Sequence, residues 1–159
     1  MTAYAELAVT TNFSFLRGAS HPKEMVETAI ELGLTGIGIT DRNSFAGVVR
    51  AYAEAKDRNI KFLAGTRLVT IDGFEVLTYP TDRAAYGRLC RLLTDSNRKV
   101  NKFGKGECHL TFDDILSASE GQIFIALPPL SLFTSPWRGE VDRRRRSGGG
   151  DRTSIIFPA

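Results

Sequence analysis

The chain has 159 residues, 42% hydrophobic and 25% charged, with a formal net charge of +3; this suits one globular domain with a core and excludes a fibrous or wholly disordered polypeptide. Its apolar runs are short and broken by Gly or Pro, so none reaches the roughly 20 residues of a membrane span, and no membrane partner is expected. Six of the 21 basic residues and three of the 18 acidic ones fall after Leu127, leaving 15 of each in the body, so the excess charge belongs to a tail and not to a basic folded face.

The N-terminus MTAYAELAV has no basic stretch ahead of an apolar one, so no secretion signal is expected. Cys90 and Cys108 stand alone without CxxC spacing, which predicts free thiols in a reducing cytoplasm. Tyr4 to Val9 reads as a first strand, followed by a loop to Ser20 in which Thr10, Thr11, Asn12 and Ser14 crowd the strand end. Strand ends are where α/β folds place their chemistry. A helix follows, with Ser20 as N-cap, Pro22 and Glu24 in its first turn, Met25, Val26, Ala29, Ile30 and Leu32 on one face, and Gly33 just past its end.

The nearly all-apolar run Leu34–Thr40 predicts a strand buried on both faces of a parallel sheet, ending at Asp41-Arg42-Asn43. Ser44 is expected to cap a second helix, through about Arg58, with Phe45, Val48, Val49, Tyr52 and Ala55 as its apolar stripe. Ile60 to Thr70 predicts a strand interrupted by Gly65, and the turn Asp72-Gly73 leads into another at Phe74–Tyr79. A helix capped by Thr81 or Asp82 is expected through about Asp95, with Ala85, Tyr86, Leu89, Leu92 and Leu93 inward.

Residues 96–107 are polar and basic and predict a surface loop. Thr111 opens a short helix over Phe112, Ile115 and Leu116, and Gln122–Leu127 predicts a last buried strand. The order β-α-β-α-β-β-α-α-β specifies an α/β domain over 1–127. Residues 128–159 carry four consecutive Arg, three consecutive Gly and no sustained periodicity, and a disordered tail is expected there.

The segments TNFSFLRGASHP, DRNSFAGVVR and YPTDRAAYGRLCRLLT, with FLAGTRLV and KGECHLTFDDIL, resemble the N-terminal polymerase-and-histidinol-phosphatase (PHP) domain of bacterial DNA polymerase III alpha subunits of the error-prone branch. The resemblance covers roughly residues 3 to 127. It implies a partial, distorted (β/α)7 TIM-like barrel of the PHP type, truncated, with a non-homologous tail. Active members carry a trinuclear metal cleft at the strand ends. By the resemblance, a His-x-His pair falls on Ala8 and Thr10, an Asp-His pair on Asp41 and Arg42, and a Gly-x-Glu on Gly65, Thr66 and Arg67.

Of those positions only Asp41 retains a ligating side chain. Zinc or manganese needs several imidazole or carboxylate donors converging on one point, whereas Ala8 offers none, Thr10 is weak, and Arg42 and Arg67 put permanent positive charge where a cation would sit. The positions Ala8, Thr10, Asn12, Asp41, Arg42 and Arg67 therefore read as a degenerate cleft, with no catalytic residue, no metal and no cofactor. Asp41 is either a remnant ligand or, as is commoner at such junctions, a capping residue; Arg42 and Arg67 either contact a phosphate or pair with Asp41.

The polymerase catalytic carboxylates are implied to lie outside this chain. The resemblance implies the polymerase body and DNA as partners of the intact family, and a partial barrel predicts self-association through an exposed edge. The expected role is structural, within DNA replication and damage-induced repair synthesis. One rival is a metal-dependent phosphoesterase of the PHP superfamily. Another is a small non-specific nucleic-acid-binding protein using Lys99, Lys102 and Lys105, beside Phe103, and the run Arg143, Arg144, Arg145 and Arg146. Three further features are discounted: His21 reads as a surface residue, His109 beside Cys108 lacks a second pair at metal spacing, and Gly33, Gly36 and Gly38 precede or lie within a strand instead of following it.

Overall fold

The computed structural model describes residues 3–99 and 108–128. The elements run β1 (Ala5–Val9), α1 (Pro22–Glu31), β2 (Gly36–Arg42), α2 (Val48–Ala55), β3 (Lys61–Val69), β4 (Glu75–Pro80), α3 (Arg83–Lys99), α4 (Phe112–Ser117) and β5 (Gln122–Leu127). Their order is the one expected from the sequence. They build one five-stranded sheet in the order β1-β2-β3-β4-β5. β1, β2 and β3 are parallel, and β4 and β5 join antiparallel.

The helices pack on one face of this sheet. Val26 and Ala29 of α1 and Val48, Ala51 and Ala55 of α2 bury against Val9, Ile37 and Ile39. A second cluster joins Leu68 and Val76 to Leu89 and Leu93 of α3 and to Leu110 and Ile115. Full burial of each Val, Leu or Ile side chain here contributes roughly 1.5–3 kcal/mol. The two turn glycines behave as the sequence specifies, since Gly33 and Gly73 take φ of 69° and 85°, the left-handed region that a Cβ disfavours.

Several boundaries differ from expectation, each for a local reason. α1 is capped at His21, not Ser20, with the His21 N–H donating to Glu24 Oε2 at 2.9 Å; Leu32 falls at the C-cap and is exposed. α2 starts at Val48, because Ser44 Oγ is engaged with the Ala46 N–H at 3.0 Å in a turn. Val49 and Tyr52, expected in its apolar stripe, are exposed, the Tyr52 ring lying 5.8 Å from that of Phe62. Gly65 does not interrupt β3; it pairs in register with Thr40, and a Cβ there would lie 2.5 Å from Tyr79 Cε1.

α3 continues to Lys99, taking the first four residues expected to form a loop, because Ser96 packs into the buried side of the helix and Lys99 pairs with Asp114 on α4. Phe112 and Leu116 are exposed, leaving Ile115 as the inward residue of α4. β5 is not buried as expected. Ile123 is 56% exposed and Phe124 and Ile125 are also open, since β5 has a strand only on its β4 side among the described residues. The expected tail at 128–159, Lys102, Lys105 and Arg143 to Arg146 fall outside the residues described, apart from Pro128.

Candidate functional site at the strand ends

Parallel pairing brings the C-terminal ends of β1, β2 and β3 side by side, with Asp41 opposite Thr66 and Arg42 opposite Arg67. The pairing between β1 and β2 slips between Glu6 and Val9, an irregularity of the kind that re-aims a strand end. Ala8, at this slip, is exposed and its N–H is held by Glu6 Oε1 at 2.9 Å. Thr10 and Asn12 follow at the loop entrance, where Asn12 Nδ2 lies 3.2 Å from His21 Nδ1.

Asp41 is completely buried and its carboxylate meets donors only. Oδ1 accepts from the Thr11 N–H at 2.9 Å and the Ser14 hydroxyl at 2.8 Å; the Thr11 hydroxyl lies within 2.9 Å of both oxygens, and the Gly47 N–H reaches Oδ2 at 3.2 Å. Donors from the β1–α1 loop and from the start of α2 thus converge on one side chain. Desolvating a carboxylate is costly unless its lone pairs are matched, and here they are matched. Gly47 is required at its position, because a Cβ would stand 2.4 Å from Asp41 Oδ2.

The network extends through the main chain. Ser14 Oγ accepts from the Arg42 N–H at 3.0 Å, and Thr66 Oγ1 donates to the Asp41 carbonyl at 3.0 Å. Asn43, at φ 46°, clamps Val69 with both ends of its amide, accepting from the N–H at 2.8 Å and donating to the carbonyl at 3.1 Å. Thr11, Ser14, Asn43 and Gly47 are absent from the candidate positions that the family resemblance supplies. The one signal for them is the density of hydroxyl and amide residues around Asp41 in the sequence.

Neither arginine pairs with Asp41. Arg67 reaches Glu75 Oε2 at 3.7 Å instead, across to β4, which corrects the expected ion pair inside the cleft. Arg42 lies near enough to Cys108 to oppose the burial that pushes that thiol upward, and burial prevails. Cys108 is half-buried and packs against the cluster around Leu68, Val76 and Leu89. Lys99 holds Asp114 at 2.8 and 2.9 Å and draws its carboxyl below the usual range, in a network that includes the Thr111 cap of α4.

The loop that Asp41 anchors carries an apolar tip that the sequence analysis did not single out. Phe15 and Leu16 are 83% and 89% exposed, Leu16 is held at φ 61°, and a non-glycine residue in that region costs about 1–2 kcal/mol. Hydrogen bonds from the Arg17 and Gly18 N–H groups to the Ser14 carbonyl, at 2.9 and 3.1 Å, close the turn. The signal was present as the run Phe13-Ser14-Phe15-Leu16 inside an otherwise polar loop.

Tested against a divalent cation, these residues do not fit. Asp41 is saturated by hydroxyl and amide donors, its neighbours in the ligand positions are alkyl, hydroxyl or guanidinium, and among the described residues no three His, Cys, Asp or Glu side chains gather where a metal could sit. Among the same residues no helix is long and apolar enough to cross a membrane.

Comparison with known proteins supplies the setting. The family described as "PHP domain" matches residues 6–154, and so takes in most of the stretch after Leu127 that the resemblance left without a counterpart. The error-prone DNA polymerase of Caulobacter vibrioides is 59% identical over 133 residues, covering 83% of this chain and 12% of the relative. That of Rhodopseudomonas palustris is 52% identical over 179 aligned positions, covering 97% of this chain and 15% of the relative. The chain thus spans a small part of the curated relatives it matches. Among solved structures, one described as a metal-dependent phosphoesterase from Bifidobacterium adolescentis superposes with a TM-score of 0.51 at 20% identity, over 76% of this chain and 44% of that one. An amidohydrolase from Chromobacterium violaceum gives 0.52 at 23%, over 63% and 35%. These two likenesses establish a shared α/β fold.

Proposed function

This chain belongs to the PHP domain family, and from that premise we propose that it acts as the PHP module of an error-prone DNA polymerase, in a structural and not a hydrolytic capacity. Its relatives at 50% identity and above carry that polymerase name. Nucleotide transfer, DNA and the polymerase body belong in this reading to the whole polymerase, and no residue of this chain is assigned to the reaction. The five-stranded sheet is read as part of a distorted (β/α)7 barrel, and the open side of β5 as a surface through which the domain associates with itself.

The observation that carries the reading is the commitment of Asp41. The one carboxylate at the ligand positions is surrounded by donors from Thr11, Ser14 and Gly47 and ties the loop to α2. A metal would have to displace those donors and sit beside Arg42 and Arg67, with no further anionic ligand to offset the cost.

The test is elemental analysis for zinc and manganese on protein purified without chelator, paired with a phosphoesterase assay in added manganese. Substoichiometric metal and no turnover are expected. One or more equivalents of metal that vanish in Asp41→Ala would overturn the structural reading and promote the phosphoesterase one.

A further inference from the structure

The tip formed by Phe13, Phe15, Leu16 and Arg17 combines features that a merely solvated loop does not need. Phe15 and Leu16 are almost fully exposed side by side, although burying such side chains is what ordinarily stabilises a fold. The tip is nonetheless fixed. The Thr11 and Ser14 donors bind the buried Asp41 below it, and Gly18 sits so close to the Thr11 carbonyl that a Cβ would come within 2.3 Å. A loop backbone held in this way lowers the ordering cost that a partner would otherwise meet.

The charge around the tip selects the partner. Residues 10–20 include Arg17 and no carboxylate. Arg50 of α2 lies over the Phe13 ring with its guanidinium carbon 5.2 Å from the centroid, placing a second cation beside the aromatics. Exposed rings that accept stacking, interleaved with arginines and free of carboxylates on the same loop, match single-stranded nucleic acid, whose bases offer π-faces and whose backbone is anionic.

We propose that the tip at residues 13–17, with Arg50, is a contact for single-stranded nucleic acid, with Phe15 as the stacking platform and Arg17 and Arg50 facing phosphates. This contact uses none of the basic residues Lys99, Lys102, Lys105 and Arg143 to Arg146 named from the sequence. It is also independent of the metal question, because metal content does not bear on an exposed ring.

The test uses the full chain and fluorescence anisotropy with a labelled oligothymidylate strand and a duplex of the same length, titrated at several salt concentrations. Phe15→Ala is expected to weaken single-strand binding about tenfold, Phe15→Tyr to preserve it, and the Arg17→Ala, Arg50→Ala double variant to flatten the salt slope by about 0.7 per arginine. Any duplex binding, which stacks no unpaired base on a side chain, is expected to stay within twofold in Phe15→Ala. Because both tip residues are exposed, unchanged melting of the variants checks that the fold is intact. Equal loss on single strand and duplex, or unaltered single-strand affinity in Phe15→Ala, overturns the assignment; the second result would give the tip to a protein partner.

Discussion

The phenol of Tyr79 on β4 reaches across two intervening strands to donate to the main-chain carbonyl of Leu7 on β1, 72 residues earlier in the chain. The ring can cross because the strands between offer glycines: a Cβ on Gly65 or Gly38 would fall 2.5 or 2.8 Å from Tyr79 atoms. One side chain on the face opposite the helices thus ties the antiparallel half of the sheet to its parallel half.

Burial pushes the Tyr79 phenol up to about 12, with Glu6 adding to the effect and Arg67 opposing it. A folded value above the unfolded one means that the neutral phenol is favoured by the fold. Its contribution is full below about pH 10, the unfolded value, and is lost as pH rises through the folded one. Tyr79→Phe should lower stability by about 1 kcal/mol at neutral pH through the lost hydrogen bond and flatten the decline in stability between pH 10 and 12. Urea denaturation across that range checks both, and a variant with the same alkaline decline as the parent would remove Tyr79 from the account.

Asp41 gives the second prediction. Asp41→Ala leaves the hydroxyls of Thr11 and Ser14 and the N–H groups of Thr11 and Gly47 without their acceptor in a buried site, and each such orphan costs about 1–3 kcal/mol. A loss of at least about 3 kcal/mol is expected by denaturant titration, with partial relaxation setting the upper end. Asp41→Asn retains the shape but turns an NH2 toward donors, so it should not rescue. A remnant metal ligand behaves differently: its removal releases metal and changes stability little in metal-free buffer.

Much of the fold was legible in the residues. The apolar run of β2, the Gly33 stop of α1 and the Asp72-Gly73 turn are local, and local chemistry decided them. Family resemblance also located Asp41 at the cleft. What was not legible depends on partners distant in sequence. The family resemblance put Arg67 in the cleft, with a phosphate or Asp41 as its alternatives, whereas the antiparallel return of β4 supplies Glu75. The Tyr79 crossing needs two glycines on two other strands. β5 has the composition of a buried strand and is open because, among the described residues, it is the last strand in the sheet order, which composition does not encode.

Lys99 and Asp114 join the ends of α3 and α4 through two contacts of 2.8 and 2.9 Å. The Lys99 hydrogen bond is the main cause lowering the Asp114 carboxyl, with Thr111 adding to it. A lowered folded value means that this stabilisation is present above about pH 3.9, the unfolded value, and is lost as pH falls through the folded one. Lys99→Ala should therefore cost under about 1 kcal/mol at neutral pH, as expected for a partly exposed pair, and raise the midpoint of acid unfolding. Asp114→Ala should cost more, since it also removes the acceptor for the Thr111 N–H and hydroxyl at 3.0 and 2.8 Å.

The open side of β5 carries the last prediction. QIFIAL holds no charge and no proline, pairs with β4 in continuous register from Gln122 to Leu127, and leaves Ile123, Phe124 and Ile125 exposed. Sheets usually guard such edges with charges, bulges or short strands. β1, at the other edge, has Glu6 and a register slip, so the two edges are unequally protected. Self-association is therefore expected to run through β5. Sedimentation velocity at micromolar concentration should show a dimer or larger species, and a single lysine in place of Ile123 or Ile125 should shift the protein to monomer while leaving its melting transition in place. A strictly monomeric parent would mean that the strand is guarded by something other than a second copy.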